Sequence, residues 1–242
     1  MTENWWTEEQ AADRLHRIEE RIAEACLRAG RARGEVTLLA VTKTVEPERI
    51  RAMIAAGVRC VGENRVQEWK EKLPLWRETG VSVHLIGHLQ TNKVRPVVGE
   101  VQCIESVDSL HLAQAIERAA AEKGVTVPVL CEVNIGGEAS KSGVQPALTE
   151  ELLCRMAELP HLRVEGLMTV PPVSETSAEK RRYFEQMHKL FLDIKGKMLH
   201  NINMHTLSMG MSSDFEEAIA EGSTEVRIGT ALFGARSYPA GN

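Results

Sequence analysis

A lysine stands at the end of the first strongly apolar run of the chain. Lys43 follows residues 36–42, Val-Thr-Leu-Leu-Ala-Val-Thr, which have the composition of a buried strand. A lysine is costly at the end of such a strand unless its amine is used. The chemistry open to that amine is an imine with a carbonyl compound. Taken alone, Lys43 is explained more simply as a surface lysine just past the strand.

A segment near the other end of the sequence carries groups that suit an anion. Residues 207–216 include Ser208, and Ser212 and Ser213 come directly before an acidic helix start. Ser213 and Glu216 match a capping box. The free backbone N–H groups and the positive end of such a helix favour a phosphate. An ordinary capped helix explains the same residues equally well.

The last apolar run, residues 226–228, is followed by two further donors, the backbone N–H of Gly229 and the hydroxyl of Thr230. Phosphate sites after strands seven and eight recur in (β/α)8 barrels. Arg227 shares strand parity with Gly229, so we expect it to point inward, although a salt bridge to a nearby acid is the alternative. An amine that faces a phosphate site suggests a phosphorylated aldehyde cofactor, pyridoxal 5'-phosphate (PLP). A guanidinium only donates, so a pyridine nitrogen facing Arg227 would stay unprotonated.

The elements that must position these residues alternate between strand and helix. Each of the first seven strand candidates is followed by a segment with helical periodicity, which predicts an α/β fold with a buried parallel sheet. We predict a single (β/α)8 TIM-type barrel over residues 1–242, with an extra N-terminal helix over about 7–29 and no C-terminal β domain. A doubly wound open sheet is the alternative, but no GxGxxG follows the first strand. The predicted strands, each expected to be apolar on both faces, are 36–41, 59–61, 83–86, 101–104, 127–133, 164–168, 204–207 and 226–228.

The composition limits the function classes. A net charge of -5 with interspersed signs argues against a general nucleic-acid surface. The five cysteines form no CxxC pair and no zinc spacing, which fits a reducing compartment. The sequence shows no signal peptide and no apolar stretch long enough for a membrane, so we expect a cytoplasmic protein. His84 and His88 fall on a strand and its end, which disfavours a metal pair. Beyond Trp5 and Trp6 no exposed apolar stripe is evident, and we expect a monomer.

Five motifs in order resemble the pyridoxal phosphate homeostasis protein family, from about residue 8 to residue 238. They are AVTK at 40–43, GENRVQE at 62–68, HLIGHLQ at 84–90, LSMGMS at 207–212 and RIGTALFG at 227–234. The resemblance implies a barrel similar to that of alanine racemase and PLP held as an imine on Lys43. It also implies phosphate contacts at Ser208, Gly229 and Thr230, a ring-nitrogen contact at Arg227, and positions near the cofactor at Asn64 and Met209.

The family resemblance further implies a protein that takes part in intracellular PLP homeostasis. Such a protein buffers PLP or delivers it to apo PLP-dependent enzymes, without turning over an amino acid. A PLP-dependent racemase or decarboxylase on the same barrel is the alternative. That enzyme needs a second domain and a second acid or base, whereas residues 235–242 alone follow Gly234 and the two tyrosines, Tyr183 and Tyr238, are poor candidates. A third possibility is a lysine-imine aldolase for a phosphosugar, which a yellow protein would argue against.

Overall fold

Eight parallel strands close into a barrel in sequence order. The computed structural model describes residues 6–138, 141–172 and 176–234. All eight predicted strands are present, and the predicted (β/α)8 fold is confirmed. No β domain follows the barrel within these ranges. The strands are β1 (Thr37–Val41), β2 (Cys60–Glu63), β3 (Ser82–Leu85), β4 (Cys103–Val107), β5 (Val127–Glu132), β6 (Leu162–Met168), β7 (Ile202–Met211) and β8 (Glu225–Ile228).

Helices surround the barrel and connect successive strands. After α1, which precedes β1, each strand in the described chain is followed by at least one helix. The α-helices are α1 (Glu8–Arg28), α2 (Pro47–Ala56), α3 (Val66–Glu71), α4 (Leu73–Thr79), α5 (Val94–Val97), α6 (Leu110–Lys123), α7 (Thr149–Ala157), α8 (Ser177–Gly196), α9 (Phe215–Ala220) and α10 (Thr230–Phe233).

The extra N-terminal helix begins with a capping box. The backbone N–H of Gln10 donates to Thr7 Oγ1 at 3.2 Å, and the N–H of Thr7 donates to Gln10 Oε1 at 3.1 Å. These bonds satisfy two donors that a helix start otherwise leaves without partners. The buried face of α1, which packs toward α2, α9 and α10, consists of Ala11, Leu15, Ile18, Ile22, Ala25 and Cys26.

Polar contacts tie the region of α1 to the last third of the chain. Arg21 Nε donates to Glu216 Oε1 at 2.8 Å. Just after the helix, Arg31 Nη1 donates to the carbonyl oxygens of Ser223 at 2.7 Å and Ile219 at 3.0 Å. The β1–β8 register pairs Leu39 with Arg227 and closes the barrel beside these contacts.

The interior of the barrel is more polar than the sequence predicts. Two small apolar clusters lie apart from the main core, one with Leu39, Val41 and Cys60, the other with Cys103, Leu130 and Met168. Ser208 of β7 hydrogen-bonds to a buried charged side chain of β4 and to another of β8. Because β4 and β7 are not neighbours in the barrel, the bond between them crosses its interior. The expectation that every strand is apolar on both faces is therefore wrong for β4 and β8, which carry Glu105, Glu225 and Arg227.

Candidate functional site

A cavity of about 380 Å³ opens at the C-terminal ends of the strands. That is the end where barrel folds carry their chemistry, and the volume falls in the range of small-molecule sites. The structure brings five predicted residues into its wall: Lys43, Asn64, Arg227, Gly229 and Thr230. The other lining residues are Val41, Ile86, Val170, Met211, Ser212 and Ser213.

Lys43 lies two residues after the end of β1, and buried polar groups hold the peptide before it. Thr42 Oγ1 donates to Glu63 Oε1 at 2.7 Å. Lys72 Nζ donates to the Thr42 carbonyl at 2.6 Å and to Glu63 Oε1 at 2.7 Å. Burial raises the pKa of Glu63, and the Lys72 ammonium opposes that rise.

The residue after Lys43 is held as well. Thr44 has a left-handed backbone, with φ of 57°, and its N–H donates to Glu68 Oε2 at 2.7 Å. The backbone at Lys43 is thus fixed from both sides by residues of β2 and of the helices that follow it.

Asn64 presents an unpaired acceptor in the cavity wall. Its Oδ1 is buried and has no hydrogen-bond partner within the described residues. Gly87 packs so closely that a Cβ there would lie 2.2 Å from the Asn64 carbonyl oxygen. Asn64 is not the N-cap of α3, because Arg65 holds that position. An unsatisfied buried acceptor is costly, so a ligand with a donor group fits this position.

Ser212 joins the two segments that the sequence singled out for an anion. Its Oγ accepts from the backbone N–H groups of Gly229 and Ala231, both at 3.2 Å. Ser213 and Thr230 line the cavity beside it. Loops after the last two strands, together with a short extra helix such as α10, form the phosphate sites of many barrels. These residues therefore suit a phosphate.

The predicted capping box at the start of α9 is wrong. Asp214 holds the N-cap position, and its Oδ1 accepts from the Met211 N–H at 2.7 Å, which folds the loop back on itself. Gly210 permits this path. Its φ is +94°, and a Cβ there would lie 2.5 Å from the Ala218 Cβ.

Ser208 and Met209 are not among the residues that line the cavity. Ser208 is fully buried and donates to Glu105 Oε2 at 2.8 Å. Met209 is also fully buried and belongs to the main core. Ser212, which sequence reasoning placed before a helix but not among the cofactor contacts, occupies the wall instead. The feature of the sequence that could have identified Ser212 is its position four residues after Ser208 in the same motif.

Arg227 enters the wall from β8 and is held from behind. Its Nη1 donates to Ser208 Oγ at 2.6 Å and its Nη2 donates to the Thr169 carbonyl at 2.7 Å. The side chain points inward, as its parity predicted. Its guanidinium donates to a hydroxyl and to a carbonyl group, whereas the alternative interpretation expected a salt bridge to an acid.

The network behind Arg227 continues into the barrel. His84 Nδ1 lies 2.7 Å from Glu105 Oε1. Burial opposes ionisation of Glu105, but hydrogen bonds from His84 and Ser208 hold its pKa below the usual range. Burial lowers the pKa of His84, but its partners Cys60 and Glu105 outweigh that effect and raise it well above the ordinary value. Burial, together with the charge of Glu105, raises the pKa of Glu225 to about 8.

Comparison with known proteins assigns the family. Residues 14–237 match the family model of the alanine racemase N-terminal domain. The pyridoxal phosphate homeostasis protein of Aquifex aeolicus (strain VF5) is 45% identical over 228 residues, which are 94% of this chain and 99% of that protein. The chain belongs to the pyridoxal phosphate homeostasis protein family.

Solved structures agree with this assignment. PipY of Synechococcus elongatus PCC7942, whose structure has PLP bound, is 36% identical to this chain with a TM-score of 0.78. The match covers 90% of this chain and 100% of PipY. Alanine racemase from Corynebacterium glutamicum, at 18% identity and a TM-score of 0.71, shares the fold, and the match covers 94% of this chain but 62% of the racemase. Within the described ranges, no helix of this family member has the length and apolar character needed to cross a membrane.

Proposed function

We propose that this protein binds PLP in the cavity at the C-terminal end of the barrel, linked covalently to Lys43. The observation that carries the proposal is the meeting of Lys43, Arg227 and the loops around Ser212 in a single cavity of about 380 Å³. The family relationship supports it, since the PipY structure has PLP bound.

Different residues of the cavity wall suit different parts of PLP. When bound, PLP supplies an aldehyde that reacts with an amine, and Lys43 provides that amine. The hydroxyls of Ser212 and Thr230, with the backbone at Gly229, suit the phosphate. Arg227 donates to the ring nitrogen, which therefore stays unprotonated.

Of the remaining predicted positions, Ser208 and Met209 act from behind the wall in this proposal, and Asn64 acts in it. Ser208 orients Arg227 through the 2.6 Å hydrogen bond rather than contacting the phosphate. Met209 supports the same strand from the core side. Asn64 contributes its unpaired Oδ1 as an acceptor.

We further propose that the protein holds and releases PLP, in homeostasis, without turning over an amino acid. Racemisation requires a second acid or base on the opposite face of the substrate carbon. Tyr183 lies on the outer helix α8 and is not among the cavity-lining residues, while Tyr238 lies outside the described residues. The proposal also includes that the protein is a monomer in the cytoplasm and that it passes PLP to apo PLP-dependent enzymes.

Borohydride reduction tests the covalent link. The protein is incubated with PLP, reduced and digested, and the labelled peptide is identified by mass spectrometry. We expect the label on Lys43 and a complete loss of reducible, yellow adduct in Lys43→Ala. Lys70→Ala, which removes an exposed lysine of α3, is the matched control and should bind as the unchanged protein does.

Two results would overturn the binding proposal. One is a label on another lysine with Lys43 unmodified. The other is an unchanged adduct in Lys43→Ala. A protein that stays colourless with PLP but forms a reducible adduct with a phosphosugar would favour the aldolase instead.

A further inference from the structure

Three side chains with metal-binding atoms converge inside the barrel, at a place that the proposed function does not use. Cys60, His84 and Glu225 each offer one potential ligand atom, and these three atoms lie within 4.8 Å of one another. Cys60 and Glu225 are the first residues of β2 and β8, and His84 lies in β3. Two consecutive strands and the last strand of the barrel thus deliver a thiol, an imidazole and a carboxyl group to one point.

An unpaired buried atom points to a missing partner at this cluster. Glu225 is 3% exposed, and its Oε1 has no hydrogen-bond partner within the described residues. A buried carboxyl oxygen without a partner is costly, and native structures contain few such atoms. A bound cation would give this oxygen a partner.

The imidazole is oriented in the way that metal sites require. His84 Nδ1 is engaged by Glu105 Oε1 at 2.7 Å and also lies 3.7 Å from Glu225 Oε2, so the ring nitrogen that we assign to coordination is Nε2. Metal-bound histidines almost always direct their second nitrogen to a carboxylate or carbonyl group, which fixes the ring. Glu105 is itself held by Ser208 Oγ, so the carboxylate behind His84 is fixed in turn.

We propose that Cys60, His84 and Glu225 form a binding site for a divalent transition metal ion of the zinc type. Sulfur, nitrogen and oxygen ligands in this combination suit Zn²⁺ and disfavour Mg²⁺ or Ca²⁺, which prefer oxygen ligands alone. On binding, the Cys60 thiol, the protonated His84 ring at Nε2 and the protonated Glu225 carboxyl group each release a proton to solvent, and the freed sulfur, nitrogen and oxygen bond to the metal. Three protein ligands leave the fourth tetrahedral position to water.

The metal has a route to the site that does not pass through the PLP cavity. Cys60 also lines a cavity of about 150 Å³ at the N-terminal ends of β1 and β2, together with Thr37 and Val58. Lys43 follows the opposite end of β1. The two sites therefore lie toward opposite ends of the barrel, connected by the hydrogen bonds from His84 through Glu105 and Ser208 to Arg227.

Cobalt titration of the full chain tests the site. Co²⁺ bound tetrahedrally through a thiolate gives strong visible d–d bands and a sulfur charge-transfer band, and Zn²⁺ should then displace it at one ion per chain. We expect Cys60→Ala and Glu225→Gln to bind at least about 10-fold more weakly. Cys154→Ala, which removes an exposed cysteine outside the cluster, should bind as the unchanged protein does.

X-ray absorption of the zinc-loaded, unsubstituted protein measures the metal ligands directly, so this test does not require that any variant folds. We expect one sulfur at about 2.3 Å and nitrogen or oxygen at about 2.0–2.2 Å. A zinc shell without sulfur, no retained metal after gel filtration, or equal affinity in Cys60→Ala would overturn the proposal. In the last case the cluster is an internal hydrogen-bonded network only.

Discussion

At the residue scale, we propose that Arg227 sets the protonation state of the nitrogen in the bound ring. Replacement by a carboxylate, Arg227→Glu, supplies an acceptor at the same place, so the ring nitrogen should take up a proton and the visible spectrum of bound PLP should shift. Absorption spectroscopy of the loaded protein measures this. Arg227→Lys keeps a cationic donor and should leave the spectrum nearly unchanged. An unshifted spectrum in Arg227→Glu with PLP still bound would remove the contact from the proposal.

Glu132, at the end of β5, makes stability depend on pH. It is 8% exposed, and its Oε2 has no hydrogen-bond partner within the described residues. Burial and the nearby Asp108 raise its pKa to about 7, and Arg227 opposes that rise. The folded protein therefore keeps a proton that the unfolded chain releases near pH 4.5. The stability contributed by Glu132 is complete below that pH and is lost as pH rises through about 7.

Glu132→Gln should remove this loss. Relative to the unchanged protein, its unfolding free energy should rise by about 1–3 kcal/mol between about pH 5 and pH 8. Thermal unfolding across that range measures the difference. Glu138→Gln, at an exposed position in the following loop, is the control and should show no such trend. Parallel stability curves for Glu132→Gln and the unchanged protein would contradict the argument.

At the scale of elements, the apolar runs were enough to locate every strand, but not to delimit β4 and β7. The sequence predicted 101–104 and 204–207, where the structure has Cys103–Val107 and Ile202–Met211. The missed residues include Glu105 and Ser208, whose polarity resembles that of a loop. They pair across the barrel, and a partner 103 residues away leaves no local signal.

The candidate site was predictable where it depended on motif and parity, as for Lys43 and Arg227. The position of Ser212 depends instead on the β7–β8 register, which shifts between Ser208 and Met211. That shift was not visible in the sequence.

The junction of α3 and α4 supports the end of β1 through a buried ion pair. Lys72, 8% exposed, connects this junction to Thr42 and Glu63. Lys72→Met should destabilise the protein by about 3–5 kcal/mol, because it leaves the Glu63 carboxyl buried without its cation. The double substitution Lys72→Met with Glu63→Gln should recover most of this loss in denaturant unfolding. A double variant less stable than Lys72→Met would show that the pair is not the cause.

At the scale of the whole molecule, the proposed absence of amino-acid turnover is directly measurable. We expect the PLP-loaded protein to show no steady racemisation of alanine or other amino acids, because the described cavity wall offers Lys43 without a second acid or base. Chiral chromatography over many hours provides the assay, with an alanine racemase as the positive control. Sustained turnover that disappears in Lys43→Ala would make the protein an enzyme.

The docking of α1 also bears on the order of events during synthesis. Arg21 and Glu216 are 195 residues apart, so during synthesis α1 meets this partner only when α9 has been made. Until then the side of α1 that packs toward α9 and α10 has no partner, although α2 is already available to the rest of its buried face. A nascent chain that stops before residue 215 therefore carries an amphipathic helix with part of its apolar face exposed, which is the kind of segment that chaperones bind.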